Sequence, residues 1–254
     1  MTPFDLTGRV AIVTGGNGGI GLAMARGLAA AGAAVTIAAR DAEKGARAAD
    51  SLRETGGDAH FLPLDVADPE SCDAMIAQTV QRLGRLDILV NNAGINIRKP
   101  PETYDLAEWR TVLETNLTGV FACCQATYPE MKKAGGGKIV NIGSMMSICG
   151  AAFVAPYAAS KGGVVQLTKA LACAWAKDNI QVNAVLPGWI DTELTQQARR
   201  DIATLHDSVL ARTPAGRWGV AEDLAGIAVF LAAPASDFVT GTAIPVDGGY
   251  SAQG

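Results

Sequence analysis

The sequence predicts an α/β domain, a mostly parallel sheet of about seven strands with helices packed on both faces. Two observations carry that expectation. Short runs rich in valine, isoleucine and leucine recur along the chain, and each is followed by a longer stretch of helical period. The first run ends in a cluster of glycines that opens directly into an alanine- and leucine-rich segment. No repeat, low-complexity tract or linker divides the 254 residues. One domain over 1–254 is therefore expected, with the substrate loops at 95–101, 145–153 and 189–212 built into it.

Strand 10–14 runs into Gly15-Gly-Asn-Gly-Gly-Ile-Gly21, and a helix is expected over 22–31. Glycines let the backbone turn sharply and come close to a diphosphate, and the free N–H groups at a helix start favour its charge. Strand, glycine turn and helix together make the sheet a doubly wound, Rossmann-type one and make Gly15, Asn17, Gly19, Ile20 and Gly21 candidate cofactor contacts. The second strand, 34–39, ends at Arg40, about twenty residues past the glycines, where an acidic residue would hold the ribose diol of NAD. An arginine suits a 2′-phosphate, so NADP is the expected cofactor; Asp41, next in the chain, keeps NAD as the alternative. A polar helix over 41–55 leads to strand 60–64, whose end offers Asp65 and Val66 to an adenine. Pro69 opens a helix to about residue 83. Strand 86–90 then runs into Asn91-Asn-Ala-Gly94, where Asn92, Ala93 and Gly94 leave room for a flat ring and a ribose.

From 105 to 133 the pattern is helical, with Trp109, Val112, Leu113 and Leu117 apolar and Asn116 among them. Asparagine is an awkward helix former; this one is either satisfied in the core or holds a water near a reacting centre. Gly135-Gly-Gly137 breaks the helix before strand 138–142, which delivers Ser144 into a loop. The helix over 156–177 carries Tyr157 and Lys161 four residues apart, on one face. A free tyrosine ionises only near pH ~10. A positive charge within a few ångströms lowers an acid's pKa by roughly 1–3 units, toward the pH at which proton transfer to a substrate oxygen is efficient. Strand 180–186 ends at Pro187-Gly188, a polar segment occupies 189–212, and helix 221–232 precedes a last strand at 242–246.

A net charge of −4 with no block of like charge argues against nucleic acid or an anionic membrane as partner. No apolar run reaches the ~20 residues of a membrane span, and the first residues lack a basic-then-apolar leader, so a cytoplasmic protein is expected. The five cysteines lack C-x-x-C spacing and read as reduced packing residues. His60 and His206, the two histidines, stand apart without ligand partners, so no metal is expected.

Taken together, Thr14-Gly-x-x-x-Gly-x-Gly21, Asn91-Asn-Ala-Gly94, Asn116, Ser144, Tyr157-x-x-x-Lys161 and Pro187-Gly188 resemble, in order and over nearly the whole chain, the short-chain dehydrogenase/reductase family. The resemblance implies hydride exchange between nicotinamide and a ketone or secondary alcohol. It makes Tyr157 the general acid/base, Lys161 the ligand of the nicotinamide ribose that lowers the tyrosine's pKa, Ser144 the residue that orients the carbonyl, and Asn116 the holder of a relay water. Pro187, Gly188, Ile190 and Thr192 join the implied cofactor set. Finer likeness in Thr213-Pro-Ala-Gly-Arg-Trp-Gly219 and Ala235-Ser-Asp-Phe-Val239 is to the family's sugar-acid and polyol members, the gluconate 5-dehydrogenase and 2-deoxy-D-gluconate 3-dehydrogenase subgroup. Asn96, Arg98, Ser144, Met145 and Tyr157 are then the candidate substrate contacts. Arg98 either meets a substrate carboxylate bidentately or is a solvated arginine beside Lys99. A 3-oxoacyl thioester reductase is the alternative activity; its acidic carrier would want a basic rim, and Arg98-Lys99 and Arg199-Arg200 supply only a small one. A non-catalytic dinucleotide-binding module is the other, and it would be marked by loss of a proton-transfer residue. Family members are typically tetramers built through their two long central helices and C-terminal segment, so a homotetramer is implied.

Overall fold

The structure, a computed structural model, describes residues 2–253. Its strands are β1 (Val10–Thr14), β2 (Ala34–Ala39), β3 (Ala59–Pro63), β4 (Ile88–Asn91), β5 (Gly137–Ile142), β6 (Ile180–Pro187) and β7 (Ala243–Val246). Its helices are α1 (Gly19–Ala30), α2 (Ala42–Glu54), α3 (Pro69–Leu83), α4 (Leu106–Leu113), α5 (Gly119–Lys133), α6 (Ala155–Trp175), α7 (Glu193–Asp201), α8 (Leu205–Arg212) and α9 (Ala225–Ala232). The strands form one sheet in the order β3-β2-β1-β4-β5-β6-β7, and every neighbouring pair is parallel.

Parallel neighbours need crossovers, and the crossing helices cover both faces. Met24 and Leu28 of α1, Leu52 of α2 and Leu231 of α9 pack with Val13 and Ile37 on one side. Met75 of α3, Cys123 of α5 and Val164 and Leu171 of α6 pack with Ile12, Leu89 and Val182 on the other. This two-sided cover is why β1, β4 and β6 are buried at every position rather than at alternate ones, Asn91 and Asn183 included. Local chemistry sets several helix ends: Asp41 accepts from Lys44 N at 2.9 Å to start α2, Asp68 and Pro69 start α3, and Gly84, in the left-handed region at φ 81°, stops it.

Three segments depart from expectation. Helix α1 begins three residues early, inside the glycine turn. The helix expected over 105–133 is broken at Glu114–Thr118 by a π turn, in which Gly119 N donates to Glu114 O. Such a turn inserts one residue and re-aims the side chains on it, which apolar periodicity on either side does not register. The polar segment 189–212 folds into α7 and α8, held by Ala198, Leu205 and Val209 against Trp218. That anchor arrives from beyond the segment, so no local pattern announces it.

β1 and β4 are neighbours although two strands intervene in sequence, and Thr14 lies opposite Asn91. Chain direction across the sheet reverses between them. A crevice opens at the strands' carboxyl ends there, and the glycine turn, Arg40, Asp65, the 92–94 turn, Ser144 and Pro187-Gly188 all follow those ends.

Candidate active site

Gly15 adopts φ 62°, a conformation that a side chain resists, and a Cβ on it would come 2.9 Å from Ala93 Cα. A Cβ on Gly21 would come 2.4 Å from Gly15 O. The turn is therefore folded against both α1 and the 92–94 turn, with no room for a side chain at Gly15 or Gly21. No side chain caps the start of α1 and no acidic residue occupies its first turn, so its N–H groups face the crevice. Thr14 Oγ accepts from Asn92 N and Ala93 N at 3.1 Å each, and the Asn92 amide donates to Thr14 O and Gly15 O. Asn92, expected as a cofactor contact, thus spends its amide on stapling β1 to β4 while also lining the crevice.

One end of the crevice is lined by Asn17, Arg40, Asp65, Val66, Asn92, Ala93 and Gly94, which the sequence offered as cofactor contacts, together with Ala39 and with Thr115 of the π turn. Arg40 is exposed and forms no ion pair among the described residues. Asp41 turns its carboxylate to the α2 N-terminus. The other end is lined by Gly19, Ile20, Ser144, Tyr157, Lys161, Pro187, Gly188, Ile190 and Thr192, and it is also bordered by Lys44 and Glu193, which no pattern in the sequence singled out. These residues fit a dinucleotide: an uncapped helix start behind a glycine-rich turn, and a basic side chain, Arg40, without an acidic partner among the described residues.

Ser144 Oγ accepts from Met146 N at 3.1 Å, which fixes the loop after β5. Tyr157 and Lys161 rise from the first turns of α6. The Lys161 ammonium is 4% exposed and donates to Ile142 O at 2.6 Å, and burial lowers its pKa to about 8. It sits 5.7 Å from the centre of the Tyr157 ring. Burial raises the phenol's pKa, while the Ser144 hydroxyl and the Arg98 charge pull it down. In this structure the Lys161 ammonium is turned to the β5 carbonyl, and Ser144 and Arg98 are the groups that oppose burial at the phenol. Asn116 is fully buried; its amide accepts from Ile95 N and donates to Ile95 O, each at 2.8 Å, and reaches Ser160 Oγ at 3.2 Å. Of the two readings, the satisfied one holds for the side chain, which ties the 95–101 loop to α6.

Lys161 makes a stability prediction. Its folded pKa lies below the unfolded value, so between about 8 and 10.5 the unfolded chain binds more protons and stability rises with pH. The stability difference between Lys161→Met and the wild type should therefore favour the variant most below pH 8. It should shrink by about 3 kcal/mol as pH rises through that window. Urea melts of ligand-free protein at several pH values check this, and a pH-independent difference would contradict it.

Beside the phenol lies a second cavity lined by Asn96, Arg98, Ser144, Met145, Tyr157, Gly188 and Trp189, with Leu194 and Thr195 of α7. It draws on all three loops expected to take substrate. Tyr104, unremarked in the sequence, joins two of them: its hydroxyl lies 2.7 Å from Ile97 O and 3.2 Å from Phe153 O. Lys99 turns outward to Glu108 and over the Tyr104 ring. Arg98 instead is half-buried in the cavity, with Leu194 O at 3.4 Å and no paired carboxylate among the described residues. The solvated reading of Arg98 is thus set aside. No His, Cys, Asp and Glu cluster among the described residues could hold a metal.

A crevice that joins a phosphate-fitting turn to a phenol, a hydroxyl and a buried ammonium defines a dinucleotide-dependent oxidoreductase. The family profile described as Enoyl-(Acyl carrier protein) reductase matches residues 15–251. The chain belongs to the short-chain dehydrogenase/reductase family and is an enzyme acting on CH–OH groups. It is 42% identical to gluconate 5-dehydrogenase of Gluconobacter oxydans over 248 residues, covering 98% of this chain and 96% of that one. It is 41% identical to 2-dehydro-3-deoxy-D-gluconate 5-dehydrogenase of Dickeya dadantii, covering 100% and 99%. The crystal structure of a gluconate 5-dehydrogenase from Burkholderia cenocepacia in complex with NADP and tartrate superposes with a TM-score of 0.95, at 45% identity over 99% of this chain and 98% of that one.

Proposed function

We propose that the protein exchanges hydride between NADP and a secondary alcohol or ketone of a sugar acid. The observation that carries the substrate class is Arg98: a half-buried guanidinium, without a carboxylate partner among the described residues, in the cavity that Ser144 and Tyr157 share. A planar fork of N–H donors matches a carboxylate bidentately. Relatives named for gluconate and keto-deoxygluconate dehydrogenation, and one crystallised with tartrate, support it.

NADP, when bound, supplies or receives the hydride at its nicotinamide. Gly15, Asn17, Gly19, Ile20 and Thr192 would face its diphosphate, Arg40 its 2′-phosphate, Asp65 and Val66 its adenine, and Ala93, Gly94, Lys161, Pro187, Gly188 and Ile190 its nicotinamide half; Gly21, expected as a contact, is buried beneath the turn against Gly15 O and supports it from behind. In the reductive direction Tyr157 gives its proton to the substrate oxygen, which Ser144 orients. Lys161 offsets the negative charge left on the phenol, and Asn116 keeps the adjoining loop in register. In the oxidative direction the phenolate receives the proton. Because burial holds the phenol protonated, alcohol oxidation should rise with pH from neutral upward, and ketone reduction should fall at high pH. Initial rates in both directions across pH test this; parallel profiles would contradict it.

Arg40→Asp should move preference from NADPH toward NADH by about tenfold or more, since a charge-assisted phosphate contact becomes a repulsion. Kd values for the two nucleotides decide it, and an unchanged ratio would remove Arg40 from the phosphate site. The substrate class is tested by following nicotinamide absorbance with keto-gluconates, neutral ketoses and a 3-oxoacyl thioester. Preference for the thioester would overturn the reading. The same reading carries a single-domain, cytoplasmic protein that assembles as a homotetramer; for the assembly, Phe121, exposed on α5, offers an apolar contact. No described helix is long and apolar enough to cross a membrane.

A further inference from the structure

The mouth of the crevice carries an ion pair that neither fold nor proton transfer requires. Lys44, in the first turn of α2, reaches both carboxylate oxygens of Glu193, in the first turn of α7, at 2.8 Å. The two helices belong to opposite walls: α2 follows the 2′-phosphate strand β2, and α7 covers the substrate cavity. Lys44 is not a freely solvated charge, since its side chain is 35% exposed while that of Glu193 is 84% exposed. Its ammonium lies over the glycine turn, 3.5 Å from where a Cβ of Gly18 would stand. The cavity it borders also contains Gly18, Gly19 and Thr192, at the uncapped start of α1.

A lysine fixed at an anion-favouring helix start, with an exposed carboxylate as its partner, is a cation whose counter-ion can be exchanged. We propose that Lys44 is a ligand of the cofactor's diphosphate and that Glu193 competes with the diphosphate for it. The inference rests on the dinucleotide reading given above. Binding then transfers Lys44 from a carboxylate to a phosphate and frees the first turn of α7 from α2, so cofactor affinity and the position of the α7 cover are linked through one ammonium. The position of Lys44 beside Gly18 and Thr192, rather than among Arg40, Asp65 and Val66, favours the diphosphate over the 2′-phosphate.

The two partners are predicted to act in opposite directions, which a strut between two helices would not do. Lys44→Met should raise the Kd of NADPH and of NADH alike by about tenfold, as loss of one partly exposed charge-assisted contact implies. Glu193→Gln should lower both by about two- to threefold, and it should have no effect once Lys44 is Met, the signature of a coupled pair. Fluorescence titration with each nucleotide measures the wild type and the three variants, with thermal melting to verify that each is folded. A Kd unchanged in Lys44→Met, weaker binding in Glu193→Gln, or a loss confined to NADPH would overturn the assignment. Failure of the wild-type chain to bind either nucleotide would instead overturn the dinucleotide reading, and this inference with it.

Discussion

Tyr157→Phe should lower turnover by about 10³-fold while the Kd for NADPH stays within about twofold, because general acid catalysis by a positioned side chain contributes on that scale. The substitution removes one oxygen and keeps the ring. The Lys161 ammonium, 5.7 Å from the ring centre, remains anchored on Ile142 O, and the loop after β5 stays held by Ser144 and Met146 N. What is lost is the only phenol that, among the described residues, lines the cavity containing Ser144 and Arg98. Single-turnover reduction of a bound ketone, followed by nicotinamide absorbance, isolates the chemical step from product release. Retained turnover would place the proton source elsewhere, with Ser144 or water the candidates. Because Ser144 and Arg98 oppose the burial of the phenol, Ser144→Ala should push its pKa further upward and shift the oxidative pH profile to higher pH.

The parts of this site legible in the sequence are those set by short spacing. A strand that ends in glycines and a phenol four residues before an ammonium are local, and β1, α6 and the turn between Gly15 and Gly21 lie where that chemistry places them. Arg40 and Asp65 are legible for a related reason: residues that follow parallel strands must gather at one edge of the sheet. The rest depends on contacts between distant segments. Asn116 reads as an awkward helical residue, and only the π turn and the arrival of the 95–101 loop show that its amide is spent on Ile95. Lys161 reads as a partner for the phenol, yet its buried ammonium needs an acceptor before any ligand is present, and Ile142 O at the end of β5 provides it. Helices α7 and α8 are held by Trp218, which follows them in the chain, and Lys44 meets Glu193, 149 positions further along. Spacing cannot register a partner at that distance.

Arg98→Met should lower kcat/KM for a hydroxy-acid substrate by about 10²- to 10³-fold and leave a neutral polyol of the same length within about threefold. Two hydrogen bonds to a charged partner, each at the lower end of the usual ~1.5–3 kcal/mol, account for that range. The size of the effect follows from where the guanidinium sits. Burial depresses its pKa, and the groups that favour its charge, Tyr157 first and then Asp201 and Tyr104, act from a distance without forming an ion pair. A cation held at that cost without a partner can recover the cost when a carboxylate enters the cavity. Arg98→Lys should fall between the two, since an ammonium keeps the charge and loses the planar fork. The neutral polyol serves as the internal control. Arg98 also reaches Leu194 O at 3.4 Å, so a role limited to holding α7 over the cavity would slow acid and polyol equally. Recognition of the carboxylate slows only the acid. Equal losses on both substrates would leave the catalytic assignment of Tyr157 standing and remove the basis for a sugar-acid substrate.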